Sequence, residues 1–208
     1  MKIPTEALPY IKMQRTHFKE GENLIEFYEK DIREEFDRIR PLLPTTPCQQ
    51  ILDIGCGLGG IDHYLHSHYD SSLITMLDFD SVSKKLVYGF RPIAAHYNSV
   101  DIAKDMLQMN DLPILDFTFI APGDLKRIRK DYIDLVISLY SWGYHYPLST
   151  YLDQVYRVAR PGATILLDLR INQSQLGQLY EDSRFTITYV GGVFNKCNHV
   201  VFTKGKNK

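Results

Sequence analysis

The feature that most constrains this chain is the run from Gln50 to Ile61, Q-I-L-D-I-G-C-G-L-G-G-I. Ile51, Leu52 and Ile54 carry β-forming apolar side chains and read as a short buried strand that stops where the glycines begin. Gly55, Gly57 and Gly59 or Gly60 then supply positions that can take positive φ or let a ligand lie against bare backbone. Beyond them Ile61, Tyr64, Leu65 and His68 recur at helical spacing, so a helix follows with its amino end facing the turn. Strand, glycine turn and helix in that order describe a nucleotide-type binding site.

Gly55-x-Gly57-x-x-Gly60 satisfies a dinucleotide-binding pattern, but Asp53 argues against a pyrophosphate. Two residues before Gly55, its carboxylate would repel phosphates, and it would be at ease beside a ligand carrying an ammonium and a sulfonium. Asp53-x-Gly55-x-Gly57-x-Gly59 after an apolar strand resembles motif I of the class I S-adenosylmethionine-dependent methyltransferases. The resemblance implies S-adenosyl-L-methionine as cofactor, with Asp53, Gly55, Cys56, Gly57 and Gly59 around it.

With 208 residues, 44% hydrophobic and 24% charged, the chain can bury one sizeable core. The expected organisation is one structural unit, a helical cap over residues 1–45 and a cofactor-binding domain over 46–208. A formal net charge of -1 gives no pull toward nucleic acid or an anionic membrane. Lys126, Arg127, Arg129 and Lys130 read as a solvated helix face. The amino-terminal stretch is broken by Pro4 and Pro9 and lacks a signal-peptide core, and no stretch approaches the roughly 18 apolar residues of a membrane span. A cytoplasmic location is expected. Cys48, Cys56 and Cys197 lack metal-ligand spacing and read as reduced thiols, so no metal is expected.

Residues Glu20 to Leu43 suit an amphipathic helix ended by Pro41. By the resemblance it would cover the cofactor cleft, with Tyr28 or Phe18 near the ligand, although packing on the sheet explains both as well. Strands are expected at Leu73–Leu77, Phe117–Ile120, Tyr132–Leu139, Thr164–Leu169, Phe185–Val190 and His199–Thr203, and helices at Val100–Met109 and Ser149–Ala159. The last two strands form a hairpin that puts an antiparallel strand into an otherwise parallel sheet, an ending shared with class I methyltransferases. The fold expected is therefore α/β, a Rossmann-like seven-stranded mostly parallel sheet with a C-terminal antiparallel hairpin and helices on both faces.

Asp78 follows the second strand, 25 residues after Asp53, where a β-α-β site places an acid on the ribose hydroxyls. Asp80, before Ser81, fits a helix cap better but stays in the cofactor set. In the methyltransferase pattern a polar residue after the third strand meets the adenine amino group; Asp124 matches it, though it could equally cap a helix. Leu139, at the end of the fourth strand, completes the cofactor set.

Ligands of open α/β sheets bind outside the carboxyl ends of the strands, so acceptor chemistry belongs to Leu139–Pro147, L-Y-S-W-G-Y-H-Y-P. Tyr140, Trp142, Tyr144 and Tyr146 alternate there and offer an aromatic wall for the substrate, or else ordinary loop packing. S-W-G-Y-H-Y-P, with Tyr97-Asn98-Ser99 upstream, is similar to a bacterial group described as sugar O-methyltransferases, and it departs from the N-P-P-Y motif of amino-methylating enzymes. A small-molecule hydroxyl acceptor is implied. His145, the histidine of this loop, is the candidate base, with a structural role as the alternative. His63 is a weaker candidate. The competing readings are an NAD(P)-dependent oxidoreductase, opposed by Asp53 and the closing hairpin, and a non-catalytic S-adenosylmethionine-binding domain.

Overall fold

Apolar runs long enough for a sheet buried on both sides dominate the centre of the chain, and they line up as one seven-stranded sheet. The computed structural model describes residues 1–15, 17–19, 21–70, 72–83, 90, 97–170, 175–194 and 196–205, with backbone only at 193 and 194. Glu20, the expected helix start, and Asn195, in the expected hairpin turn, lie outside the described residues.

The elements are α1 (Leu8–Gln14), α2 (Leu24–Ile39), β1 (Gln50–Ile54), α3 (Gly60–His68), β2 (Leu73–Leu77), α4 (Val100–Met109), β3 (Phe117–Ile120), β4 (Ile133–Ser138), α5 (Leu152–Val158), β5 (Ala159–Arg170), α6 (Gln175–Glu181), β6 (Phe185–Phe194) and β7 (Cys197–Lys204). The strand order is β3-β2-β1-β4-β5-β7-β6. The first five strands run parallel, and β7 pairs antiparallel with both β5 and β6. The chain leaves β1 toward β2 and β3, then returns to β4 on the other side, so the switch point lies between β1 and β4.

Alternation along the strands divides the core into two layers. Ile51, Leu135, Ile137, Leu166 and Val201 meet Ile11, Ile32, Phe36, Leu65 and Met106 from α1 to α4. Leu52, Ile54, Val136, Ile165, Leu167 and Phe202 meet Val155 of α5 and Leu179 of α6 on the opposite face.

Several boundaries differ from the sequence expectation for identifiable reasons. The side chain of Asn23 accepts from the Ile25 and Glu26 N–H groups, so α2 starts at Leu24 rather than earlier. Pro9 does not break the amino-terminal segment. It occupies the first turn of α1, where its missing N–H costs nothing. The fifth strand, expected to start at Thr164, starts at Ala159, and Arg160-Pro161-Gly162-Ala163 is an irregularity inside β5: Ala159 pairs with Ile133, and regular pairing resumes at Thr164 opposite Leu135. Gly162 takes φ +83 there.

Candidate functional site

The carboxyl ends of β1, β2, β4 and β5 open into a cavity of about 600 Å³, within the range of small-molecule sites. Asp53, Gly55, Cys56, Gly57, Gly60, Asp78, Leu139, Tyr140, Tyr144, His145 and Tyr146 line it, all of them read as site residues or motif glycines from the sequence.

The glycine turn is tied down by the strand beside it. Gly55 N–H donates to the Leu77 carbonyl at 2.7 Å. Gly57 N–H donates to Asp78 Oδ2 at 2.8 Å, while Phe79 N–H donates to Asp78 Oδ1 at 2.7 Å. Asp78 therefore holds the turn in place as well as facing the cavity. Gly57 takes φ +55, and a Cβ there would lie 3.3 Å from Gln14 Oε1. Gly55 takes φ +85, and a Cβ there would overlap the Ser141 side chain. At both positions the positive φ disfavours a side chain, and backbone faces the ligand space.

Three acids sit under this turn. Burial pushes Asp78 up to about 6, against the two backbone N–H bonds it accepts. Burial pushes Asp62 of α3 up to about 7. Asp53 is raised well above the ordinary carboxylate value by burial first and then by the charge of Asp62. No cation among the described residues is paired with Asp53 or Asp62. Asp53 lines the cavity, so a cationic ligand group there would meet a carboxylate with no counter-charge among the described residues.

The segment after α1 roofs the turn. Gln14 Nε2 donates to the Tyr97 carbonyl at 2.7 Å. Arg15 pairs with Asp31 at 3.2 Å and Glu35 at 3.0 Å, both on α2, and its guanidinium lies 5.8 Å from the centre of the Tyr28 ring. Gln14, Arg15, His17, Tyr28 and Glu35 all line the cavity. Phe18 instead packs edge-on against Phe27.

On the other side the loop after β4 folds back on itself. Ser138 Oγ donates to the Ile54 carbonyl at 2.6 Å and accepts from Trp142 N–H at 2.9 Å, joining the ends of β1 and β4. His145 N–H donates to the Ser141 carbonyl at 2.7 Å, and Gly143 N–H to the Tyr146 carbonyl at 2.8 Å. Tyr144 lies edge-on between Tyr140 and His145, with ring centres 5.3 and 4.9 Å away.

Five residues read as site candidates are placed elsewhere. Trp142 is 0% exposed, packs in the α5 and α6 layer, and donates its indole N–H to the Leu148 carbonyl at 2.9 Å. The alternation that put it in the wall assumed an extended loop, and the turn at Ser141–Tyr146 breaks that assumption. Trp142→Phe is expected to cost about 1–3 kcal/mol of stability, by stranding a buried carbonyl, and to leave ligand binding alone; denaturant unfolding checks it. Asp80 is exposed and accepts from Val100 N–H at 2.9 Å, at the start of α4. Asp124 sits in a 3-10 turn, pairs with Arg127 at 3.1 Å and does not line the cavity. Gly59, at φ +77, caps the start of α3, where a Cβ would lie 2.8 Å from the Met76 side chain, outside the cavity lining. His63, on α3, is likewise outside it. Conversely, Arg15, Glu35 and Arg170 line the cavity and carry no local sequence signal.

Among the described residues, no helix is long and apolar enough to cross a membrane, and no group of three or more His, Cys, Asp or Glu is placed to hold a metal ion.

No family model matches the chain. It is 33% identical over 66 residues to the cyclopropane-fatty-acyl-phospholipid synthase of Escherichia coli, a stretch that makes up 32% of this chain and 16% of that protein. The chain thus spans about a sixth of the curated relative it matches. A methyltransferase from Geobacter sulfurreducens superposes with a TM-score of 0.61 at 17% identity, covering 96% of this chain and 88% of the other. A SAM-dependent methyltransferase from Aquifex aeolicus does so with a TM-score of 0.57 at 16% identity, covering 85% and 89%.

Proposed function

We propose that this chain, which has the fold of the class I S-adenosylmethionine-dependent methyltransferases, binds S-adenosyl-L-methionine and transfers its methyl group to a hydroxyl of a small molecule. The observation that carries the reading is the junction of glycine turn and acids: bare backbone at Gly55 and Gly57, Asp78 beside them, and Asp53 with no cation paired to it among the described residues. A cofactor with a cationic ammonium and sulfonium suits that junction, and a pyrophosphate does not. This ordering weighs against NAD(P).

When bound, the cofactor supplies an electrophilic methyl group, and the residues of this chain would do the rest. Asp78 would hold the ribose hydroxyls, Asp53 would neutralise the positive end, and the helices of residues 1–45 would cap the cleft against water. Tyr140, Tyr144 and Tyr146 would flank the acceptor, and His145 would take the proton from its hydroxyl. The test is incubation with methyl-labelled S-adenosylmethionine and panels of sugars, phenols and cell extracts. Label in a small molecule is the expected outcome. Tight cofactor binding with no transfer to any panel would instead favour a non-catalytic binding domain.

The raised acids give a pH prediction. A cation beside this acid cluster favours the charged forms, so cofactor binding should release protons below about pH 7, where Asp62 and Asp78, pushed up to about 7 and about 6, still carry them in the free chain, and affinity should weaken as pH falls below that point. Calorimetry in two buffers of different ionisation enthalpy measures the release. The sign for stability is opposite. A carboxyl with a raised folded-state value stabilises the ligand-free fold below the unfolded value, and that contribution is lost as pH rises through about 7 for Asp62. Asp62→Asn should therefore gain stability over the parent at pH 8 and match it near pH 4.

A further inference from the structure

Besides the Arg15–Glu35 pair, the cavity is lined by acids on one side and by cations on another. Its β1 and β2 side holds Asp53 and Asp78, and its far side is bounded by Arg170 at the end of β5 and Lys196 at the start of the turn into β7. Arg170 is tightly prepared. Its backbone N–H donates to the Gly143 carbonyl at 3.1 Å, its Nε donates to the Tyr144 carbonyl at 2.9 Å, and its guanidinium stacks 4.2 Å from the centre of the Tyr144 ring. Among the described residues its two terminal nitrogens have no hydrogen bond or ion pair. Asp168, the nearest acid along β5, is taken by His199 Nδ1 at 2.6 Å.

Strand order places this fork relative to the rest. Neighbouring strands lie about 4.8 Å apart, so Arg170 on β5 stands roughly 14 Å across the sheet from Asp78 at the end of β2, with β1 and β4 between. A cofactor lying over β2 and β1 leaves β5 to the acceptor, with His145 and Tyr144 on the loop after β4 in between. A guanidinium fixed by one nitrogen and by stacking, with two parallel donors open, matches the geometry of an oxyanion.

Resting on the methyltransferase reading, we propose that the acceptor is an anion, a small molecule whose carboxylate or phosphate group is gripped by Arg170 with Lys196 adding charge at the rim. The probes are inorganic phosphate and benzoate, titrated at matched ionic strength into the full chain saturated with S-adenosylhomocysteine, with benzyl alcohol as the uncharged control. One or both anions should bind and the alcohol should not; which anion wins separates a phosphate from a carboxylate acceptor. Arg170→Gln should weaken anion binding by about 10- to 100-fold, the range for losing a charge-assisted hydrogen bond, and change S-adenosylhomocysteine affinity by less than about twofold. Arg170→Lys should restore part of the loss. The proposal is overturned if neither anion binds the parent chain, or if Arg170→Gln binds them unchanged. It is also overturned if Arg170→Gln loses S-adenosylhomocysteine affinity instead, since the arginine would then hold the cofactor's own carboxylate. Absence of S-adenosylhomocysteine binding to the parent would sink the cofactor reading separately, and the anion titration without it would still read the Arg170 site.

Discussion

His145→Ala is expected to slow methyl transfer by about two to four orders of magnitude, the range typical of a lost general base. Its backbone is pinned by the bond to the Ser141 carbonyl, its ring meets Tyr144 edge-on, and it lines the cavity between the glycine turn and Arg170. The loss should fall on kcat, with S-adenosylhomocysteine affinity changed by less than about twofold, because the proposed cofactor contacts lie on the β1 and β2 side. Single-turnover transfer of labelled methyl, followed from pH 5 to 9, measures it. The parent should lose rate on the acid side as the imidazole protonates, and the variant should lack that limb. Full turnover in the variant would mean that the proton leaves by another route and that this loop only binds.

Gly57→Val should abolish cofactor binding, with a loss of at least about 100-fold in affinity. A branched residue at φ +55 is strained, at a cost of roughly 1–2 kcal/mol, and its side chain would enter the space between the turn and Gln14. It would also disturb the N–H that Asp78 accepts. Gly57→Ala, with one methyl 3.3 Å from a flexible amide, should fold normally and lose less, and it serves as the control for folding. Calorimetry with S-adenosylhomocysteine, alongside thermal unfolding, separates lost binding from lost structure. Unchanged affinity in a folded Gly57→Val protein would move the ligand away from this turn.

What was legible in the sequence was what local chemistry decides. Alternating or continuous apolar runs marked all seven strands, and the glycines marked the turn, because each signal lies within a few consecutive residues. Asp78 was legible for the same reason, as an acid at a strand end. Trp142 was misplaced because its assignment to the wall rested on alternation, which holds for extended chain and fails where Gly143 at φ +89 folds the loop back. Asp124 reads equally as a site acid or a cap in sequence, and Asp80 as a cap first; the partners, Arg127 and Val100 N–H, are what the structure adds. Arg15, Glu35 and Arg170 come from the end of α1, from α2 and from β5, and reach one cavity only in the folded chain, so no window of sequence contains their relation. Helix α1 was hidden by Pro9, read as a breaker where it serves as a first-turn residue.

The most direct test of the account is a calorimetric titration of S-adenosylhomocysteine into the chain, with NAD as the comparison ligand. The account predicts one site per chain for S-adenosylhomocysteine, weakened when Asp78 is replaced by alanine, and no heat from NAD. Binding of NAD with none of S-adenosylhomocysteine would contradict it.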